Sequence, residues 1–121
     1  MWPFFYLNKV KDMESLKKNK DFTKVYRKGK SKANKYLVMY YLENNLTYNR
    51  VGISVSKKVG NSVVRHRLTR LIRESYRLNS EMFNSGLDIV VIARENAKGR
   101  TFKEIQSALM HLGSINKILK K

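Results

Sequence analysis

The stretch Asn49–Arg77, NRVGISVSKKVGNSVVRHRLTRLIRESYR, changes its period halfway along. Up to Ser56 the alternation is two: Val51, Ile53 and Val55 share one side, while Gly52, Ser54 and Ser56 share the other. That is the side-chain pattern of a strand with one apolar face and one small, polar, open face. From Ser62 the apolar residues recur at helical spacing, with Val64, Leu68, Leu71 and Ile72 on one side of a wheel of about 100° per residue and the small Ser75 beside them. Gly60 permits a tight bend between the two, and Asn61 or Ser62 can cap the helix. A strand that turns directly into an amphipathic helix must bury both apolar sides in one core, which points to an α+β domain.

The other side of this helix is unusual. His66, Arg70, Arg73 and Arg77 lie opposite the apolar stripe, and Arg65 and Arg67 flank it. An ordinary solvated helix face intersperses both signs, which supports pairs one turn apart. Here Glu74 stands nearly alone among the arginines, so their charge destabilises the free domain and favours an anion. Before the helix, Lys57 and Lys58 leave the strand next to Gly60 and Asn61, which converges lysines and helix-start amides on a spot suited to phosphate. Arginine in preference to lysine along the helix suits planar, two-pronged phosphate contacts, a geometry that fits a structured nucleic acid better than a lipid surface.

Outward from this unit, a helix is expected over Lys20–Lys28, capped by Asn19, with Asp21 in its first turn and Gly29 as its stop. Phe22, Val25 and Tyr26 mark its apolar side. NKYLVMYYLENN and NRVGISVS read as two strands, and the polar connection Glu43–Asn49 predicts a hairpin between them. GLDIVVIAR, from Gly86, suits a central strand buried on both sides. Thr101 with Glu104 forms a capping box for a last helix. Its apolar series Phe102, Ile105, Leu109, Leu112, Ile115 and Leu119 covers the sheet, and the terminal KILKK puts cations at its end.

Composition bounds the rest. A chain of 121 residues builds one core and no more, with residues 15–121 as a single domain and residues 1–14 as a flexible extension. The balance of 26 basic to 9 acidic residues, net +17, calls for a polyanionic partner: RNA, DNA or an anionic membrane surface. With no cysteine, disulfides and thiolate metal sites are excluded, and a cytoplasmic protein fits. The opening MWPFFYL has neither the flanks of a targeting signal nor the about 20 apolar residues that a bilayer span needs.

No side-chain constellation for catalysis is visible. The GKS at Gly29–Ser31 lacks the earlier glycine of a phosphate-binding loop, since Lys24 occupies that position. His66 and His111 sit on separate elements without clustered carboxylates, so no catalytic residue and no protein metal site is assigned. The aromatics Phe22, Tyr26, Tyr36, Tyr40 and Tyr41 belong first to the core. If the first helix leaves part of the open strand face uncovered, Phe22, Tyr26 and Tyr40 line a strand-wide cleft on which bases could stack. From the residues alone, an RNA-binding module without a role in cleavage, a membrane-surface protein and a protein nuclease remain alternatives.

Three blocks, NKDFTKVYRKGKS with KYLVMY, GISVSKKVGNSVVRHRLTRLIRES, and DIVVIAR, together resemble the protein subunit of bacterial ribonuclease P over about Leu16–Leu119. The middle block is specific: the family writes an R-N-R segment, then a basic pair and R-E. Here Arg65-His66-Arg67 carries histidine for the asparagine, Thr69 stands where a lysine is usual, and Arg73-Glu74 match. The resemblance implies a two-layer α-β sandwich of about four strands and three helices, with a left-handed βαβ crossover like that of the second domain of ribosomal protein S5. It implies that Lys57, Lys58, Asn61, Arg65, His66, Arg67, Arg70, Arg73 and Arg77 face the catalytic RNA, and that Phe22, Tyr26, Tyr40 and Ser54 line a cleft for the 5′ leader of precursor tRNA. It further implies Mg2+ held mainly by RNA, removal of the leader by an endonuclease whose catalytic centre is in the RNA, and neither membrane nor obligate protein partners.

Overall fold

Leu87–Ala93 is apolar on both faces of its strand, and the fold puts it where both faces are covered. The structure is a computed structural model that describes residues 14–16 and 18–121. Its elements are β1 (Glu14–Ser15), α1 (Asn19–Lys28), β2 (Lys30–Ala33), β3 (Leu37–Glu43), β4 (Arg50–Ser54), α2 (Ser62–Asn79), β5 (Leu87–Ala93) and α3 (Phe102–Ile115). Four strands and the two-residue β1 form one mixed sheet in the order β1-β4-β5-β3-β2. The architecture is α+β, with three helices against the sheet among the described residues, as the pattern of the sequence implies.

The expected hairpin between NKYLVMYYLENN and NRVGISVS does not form. β5 lies between those two strands, antiparallel to β3 and parallel to β4. The physical reason is burial: β5 has the stronger claim to the centre, and β4 reaches it through the α2 crossover. The polar connection therefore bridges the start of β5. Asn44 donates its backbone N–H to the Gly86 carbonyl at 2.9 Å, and the Asn49 side chain accepts from Leu87 N at 2.8 Å and donates to the Asn84 carbonyl at 2.8 Å. The hairpin that does form joins β2 to β3, with Ser31 beside Tyr40 and Ala33 beside Val38.

The two sheet faces are packed differently. Leu37, Met39, Val51, Ile89 and Val91 face α2 and α3 and, with Leu68, Ile72, Tyr76, Ile105, Leu109 and Leu112, make the main core. Burial of each such large side chain contributes about 1.5–3 kcal/mol. Leu16, Val25 and Val90 make a smaller core under α1 on the opposite face, edged by Phe22, Tyr40, Leu42 and Ile92.

Two further expectations, the Asn19 cap and the length of the last helix, need correction. Lys18, not Asn19, is the residue before α1, and it makes no side-chain cap; Asn19 is already helical. Gly29 does end α1, but with an ordinary φ of −80°, so its value is space: a Cβ there would lie 2.5 Å from the Val25 carbonyl oxygen and 2.6 Å from that of Tyr41. The last helix has its capping box at Thr101 and Glu104 but stops at Ile115. Lys117 takes φ 60° and turns the chain back, so Leu119 bridges to Phe83 and packs on Gly113, and KILKK lies beyond the helix end. The reading of residues 1–14 as an extension falls outside the described residues except at Glu14, which pairs with Arg50 in the sheet.

Candidate nucleic-acid interface

α2 begins where the sequence places it. Asn61 Oδ1 accepts from Val64 N at 3.0 Å and its carbonyl accepts from Arg65 N at 2.9 Å, so this side chain is a helix cap first. Gly60 does not need a left-handed backbone; a Cβ there would lie 2.8 Å from Val64 Cγ1, and its absence lets the turn close on the helix. Lys57 and Lys58 stand exposed on that turn, which is stitched by Val59 N donating to the Ser56 carbonyl.

The helix turns Leu68, Ile72, Ser75 and Tyr76 into the core. Ser75 is tolerated there because its hydroxyl donates to the Leu71 carbonyl at 2.7 Å. Tyr76, absent from the apolar stripe read off the sequence, is buried and receives a 3.1 Å hydrogen bond from Asn49. Burial pushes its phenol pKa up, and the Asn49 bond partly offsets this.

The outward side presents His66, Arg67, Arg70 and Arg73, all exposed. No ion pair to Arg70 or Arg73 is formed among the described residues, which leaves two guanidinium groups on one face without a carboxylate. Of the other arginines on the helix, Arg77 and Arg67 are engaged within the domain. Arg77 is half-buried and bonds Glu74, one turn back on its own helix. Arg67 donates one Nη2–H to the Arg100 carbonyl at 3.0 Å. Arg65 is half-buried, and its Nε is buried without a hydrogen-bond partner among the described residues. Of the nine basic-site positions, Asn61, Arg67 and Arg77 thus also serve the fold, Arg65 is half-buried, and Lys57, Lys58, His66, Arg70 and Arg73 stand exposed on α2 and its lead-in turn.

The second site lies under α1. Phe22 and Tyr26 are tilted at 51° with centroids 6.3 Å apart, and Tyr26 meets Tyr40 edge-on at 5.0 Å. Burial pushes the Tyr26 phenol pKa up, the neighbouring Ser54 side chain pulls it down, and Tyr40 adds a smaller upward push. All four residues expected in the cleft therefore come together, although Tyr26 is 38% exposed and the other rings are half-buried. The sequence reading missed what makes room for them. A Cβ on Gly52 would lie 2.6 Å from Phe22 Cζ, so the ring rests on bare backbone. A glycine alternating with Arg50 and Ser54 on the open side of β4 was the available signal.

Also missed was the ion pair at the far end of that face. Asp88 is 3% exposed and is held by Arg50 through Nε at 2.8 Å and Nη2 at 2.6 Å, with Asn44 donating at 2.9 Å. The carboxylate raises the Arg50 pKa, chiefly through the hydrogen bond. An aspartate inside an otherwise apolar strand, which must find a partner when buried, was the clue.

Ser54, at the end of β4, is three positions from Lys57, so cleft and basic turn meet at one corner of the sheet. Together they offer cations, aromatic faces and hydrogen-bond donors, the chemistry that suits a phosphate backbone and unstacked bases. Among the described residues no three His, Cys, Asp or Glu side chains gather as metal ligands, and no helix is long and apolar enough to cross a membrane.

A family model described as Ribonuclease P matches residues 10–117. The "Ribonuclease P protein component" of Lachnoclostridium phytofermentans is 65% identical over 106 residues, 88% of this chain and 91% of the relative. That of Clostridium novyi is 49% identical over 114 residues, 93% and 96% of the two chains. Among solved structures, the Staphylococcus aureus RNase P protein aligns with TM-score 0.81 at 42% identity, covering 88% of this chain and 97% of that one. The Thermotoga maritima RNase P protein gives TM-score 0.78 at 33% identity, covering 84% and 96%.

Proposed function

The chain belongs to the ribonuclease P protein family, and on that premise we propose that it binds the catalytic RNA through α2 and its lead-in turn and the 5′ leader of precursor tRNA through the α1 cleft. It is a protein subunit of a tRNA-processing endonuclease, and its partner is an RNA. The observation that carries the finer reading is the exposed pair Arg70 and Arg73, unneutralised by any carboxylate among the described residues, on the helix whose lead-in turn meets the aromatic cleft at one corner of the sheet.

In this reading the polypeptide supplies binding and electrostatics. Lys57, Lys58, Arg67, Arg70 and Arg73 neutralise phosphates that would otherwise repel at close approach, and the exposed His66 imidazole offers them a hydrogen bond. Phe22, Tyr26 and Tyr40 stack bases of the leader, and the edge contact with Tyr40 sets the angle of the Tyr26 ring. Substrate is thereby favoured over the mature product, which has no leader. The described residues gather no cluster of carboxylates or imidazoles fit for magnesium, so no step is assigned to a protein-bound metal. Magnesium, held by RNA phosphates, would supply activation of water and stabilisation of the leaving oxygen. A cytoplasmic holoenzyme with no obligate further protein accords with this reading.

The test is reconstitution. Purified protein added to a ribonuclease P RNA should lower the magnesium concentration needed to remove a 5′ leader; an unchanged requirement would overturn the proposal.

A further inference from the structure

Outside both sites, a groove of about 400 Å³ runs between the β2–β3 turn and the first half of α3. Asn34, Lys35, Tyr36, Lys103, Ser107 and His111 line it, with the Glu104 carboxylate among them. Asn34 sets its chemistry. Its Oδ1 accepts from Tyr36 N at 3.2 Å and Leu37 N at 3.0 Å, which fixes the amide orientation. Its Nδ2 must therefore donate, and it does so to the Ala108 carbonyl at 2.9 Å and to His111 Nδ1 at 3.2 Å. A ring nitrogen that accepts leaves the other nitrogen of a neutral imidazole as the donor. His111 thus carries its proton on Nε2.

Tyr36 holds cations on its ring, with Arg100 Cζ 5.4 Å and Lys35 Nζ 5.8 Å from the centroid. Arg94 Nη1 donates to the Asn34 carbonyl at 2.8 Å and braces the turn. Of the two carboxylates in the region, Glu104 is committed to the Thr101 cap and to Arg100 at 3.7 Å, while Glu95 stands exposed in the loop after β5. What remains is an exposed set of donors: two ammonium groups, an imidazole N–H and the Ser107 hydroxyl. Such a set recognises an anion with several oxygens.

The register places this groove beside the basic corner. Leu37 pairs with Ala93 and Ser54 with Ile92, so the β2–β3 turn, the Lys57–Lys58 turn and the loop after β5 crowd one end of the sheet. Arg67 of α2 ties directly to that loop at Arg100. Glu43 and Asp88 sit at the other end, where β5 begins and β3 ends, while Glu95 and Glu104 lie at the groove end.

We propose that the groove between Tyr36 and α3 is a second phosphate-binding surface, over which an RNA strand continues from the arginine face of α2 across Arg100 to Lys35 and Lys103. This rests on the reading of the chain as an RNA-binding subunit and extends it around the domain. The experiment compares full-length wild type with the Lys35→Ala/Lys103→Ala double variant for binding the L. phytofermentans ribonuclease P RNA across a salt series. A charge-matched control, Lys120→Ala/Lys121→Ala, lies beyond the Phe83–Leu119 bridge near the other end of the sheet. At about 0.7–0.9 in log K against log salt per phosphate contact, the groove variant should lose about 1.5 from its slope while the control keeps the wild-type slope. Equal slopes for the groove variant and wild type overturn the second surface. An equal loss in the control also overturns it, since the effect is then net charge alone. Arg70→Ala in the same series separates the two levels: if it too leaves the slope unchanged, the underlying reading of α2 falls as well.

Discussion

Gly52→Ala probes the leader cleft with a single methyl group. The strand backbone accepts alanine, since Gly52 is not among the residues with positive φ. The added Cβ would lie 2.6 Å from Phe22 Cζ, 2.7 Å from Cε1 and 3.2 Å from Leu16 Cβ. Ordinary carbon contacts begin at about 3.5 Å, so the ring must retreat by about 1 Å. The tip of a half-buried ring is the part that moves, so the stability loss should fall at the lower end of the range for overpacking, about 1 kcal/mol. The effect on binding is larger in proportion. A stacked base contributes about 1–3 kcal/mol, and a displaced Phe22 also unseats its contact with Tyr26. Preference for leader-bearing over mature tRNA in the reconstituted holoenzyme should therefore fall by about 5- to 150-fold, with binding of the mature form unchanged. Equilibrium titration of the two RNAs, alongside urea unfolding of the free protein, separates cleft from fold. A Gly52→Ala variant that keeps full preference, or loses affinity for both RNAs alike, refutes the stacking argument.

Other outcomes follow from single contacts. Tyr26→Phe removes the hydroxyl beside Ser54 and keeps the ring, so stability should change by about 1 kcal/mol or less while leader preference drops modestly, read in the same titrations. Asp88→Ala strands Arg50 and Asn44 at a buried position and should cost about 3 kcal/mol by urea unfolding, the low end for a broken buried pair because Arg50 is partly exposed. The Glu104 carboxyl is held below its usual pKa by the Thr101 amide, with smaller help from the Thr101 hydroxyl and Arg100. A lowered folded-state pKa means that its contribution is complete above the unfolded carboxylate range, about pH 4.3, and is lost as pH falls through the folded value. Glu104→Gln should accordingly flatten the acid limb of the stability curve, and an unchanged limb would show that the cap carries none of it.

Much of the domain was legible because the sequence patterns were local. The change of period between Ser56 and Ser62, the Asn61 cap and the Thr101–Glu104 box all depend on residues a few positions apart. Strand pairing was not legible: Glu43–Asn49 looks like a hairpin loop until the burial of β5 outweighs sequence proximity. Nor were the partners of Arg77 and Arg67 fully readable, since a wheel gives the face of a side chain but not which carboxylate or carbonyl it reaches. The end of α3 was overrun because Leu119 keeps the helical period while packing from a returning chain onto Gly113. The cleft residues were read correctly as a group; the glycine beneath Phe22 was seen only as a small residue.

Contact of Arg70 and Arg73 with RNA phosphate underlies everything proposed for α2. Affinity of the Arg70→Ala/Arg73→Ala variant for a ribonuclease P RNA, followed from low to high salt, measures this directly. Two lost contacts should flatten the log–log slope by about 1.4–1.8 and weaken binding most at low salt. A variant whose line lies on that of the wild type would mean that these side chains face only water, and the interface would have to be sought elsewhere on the domain.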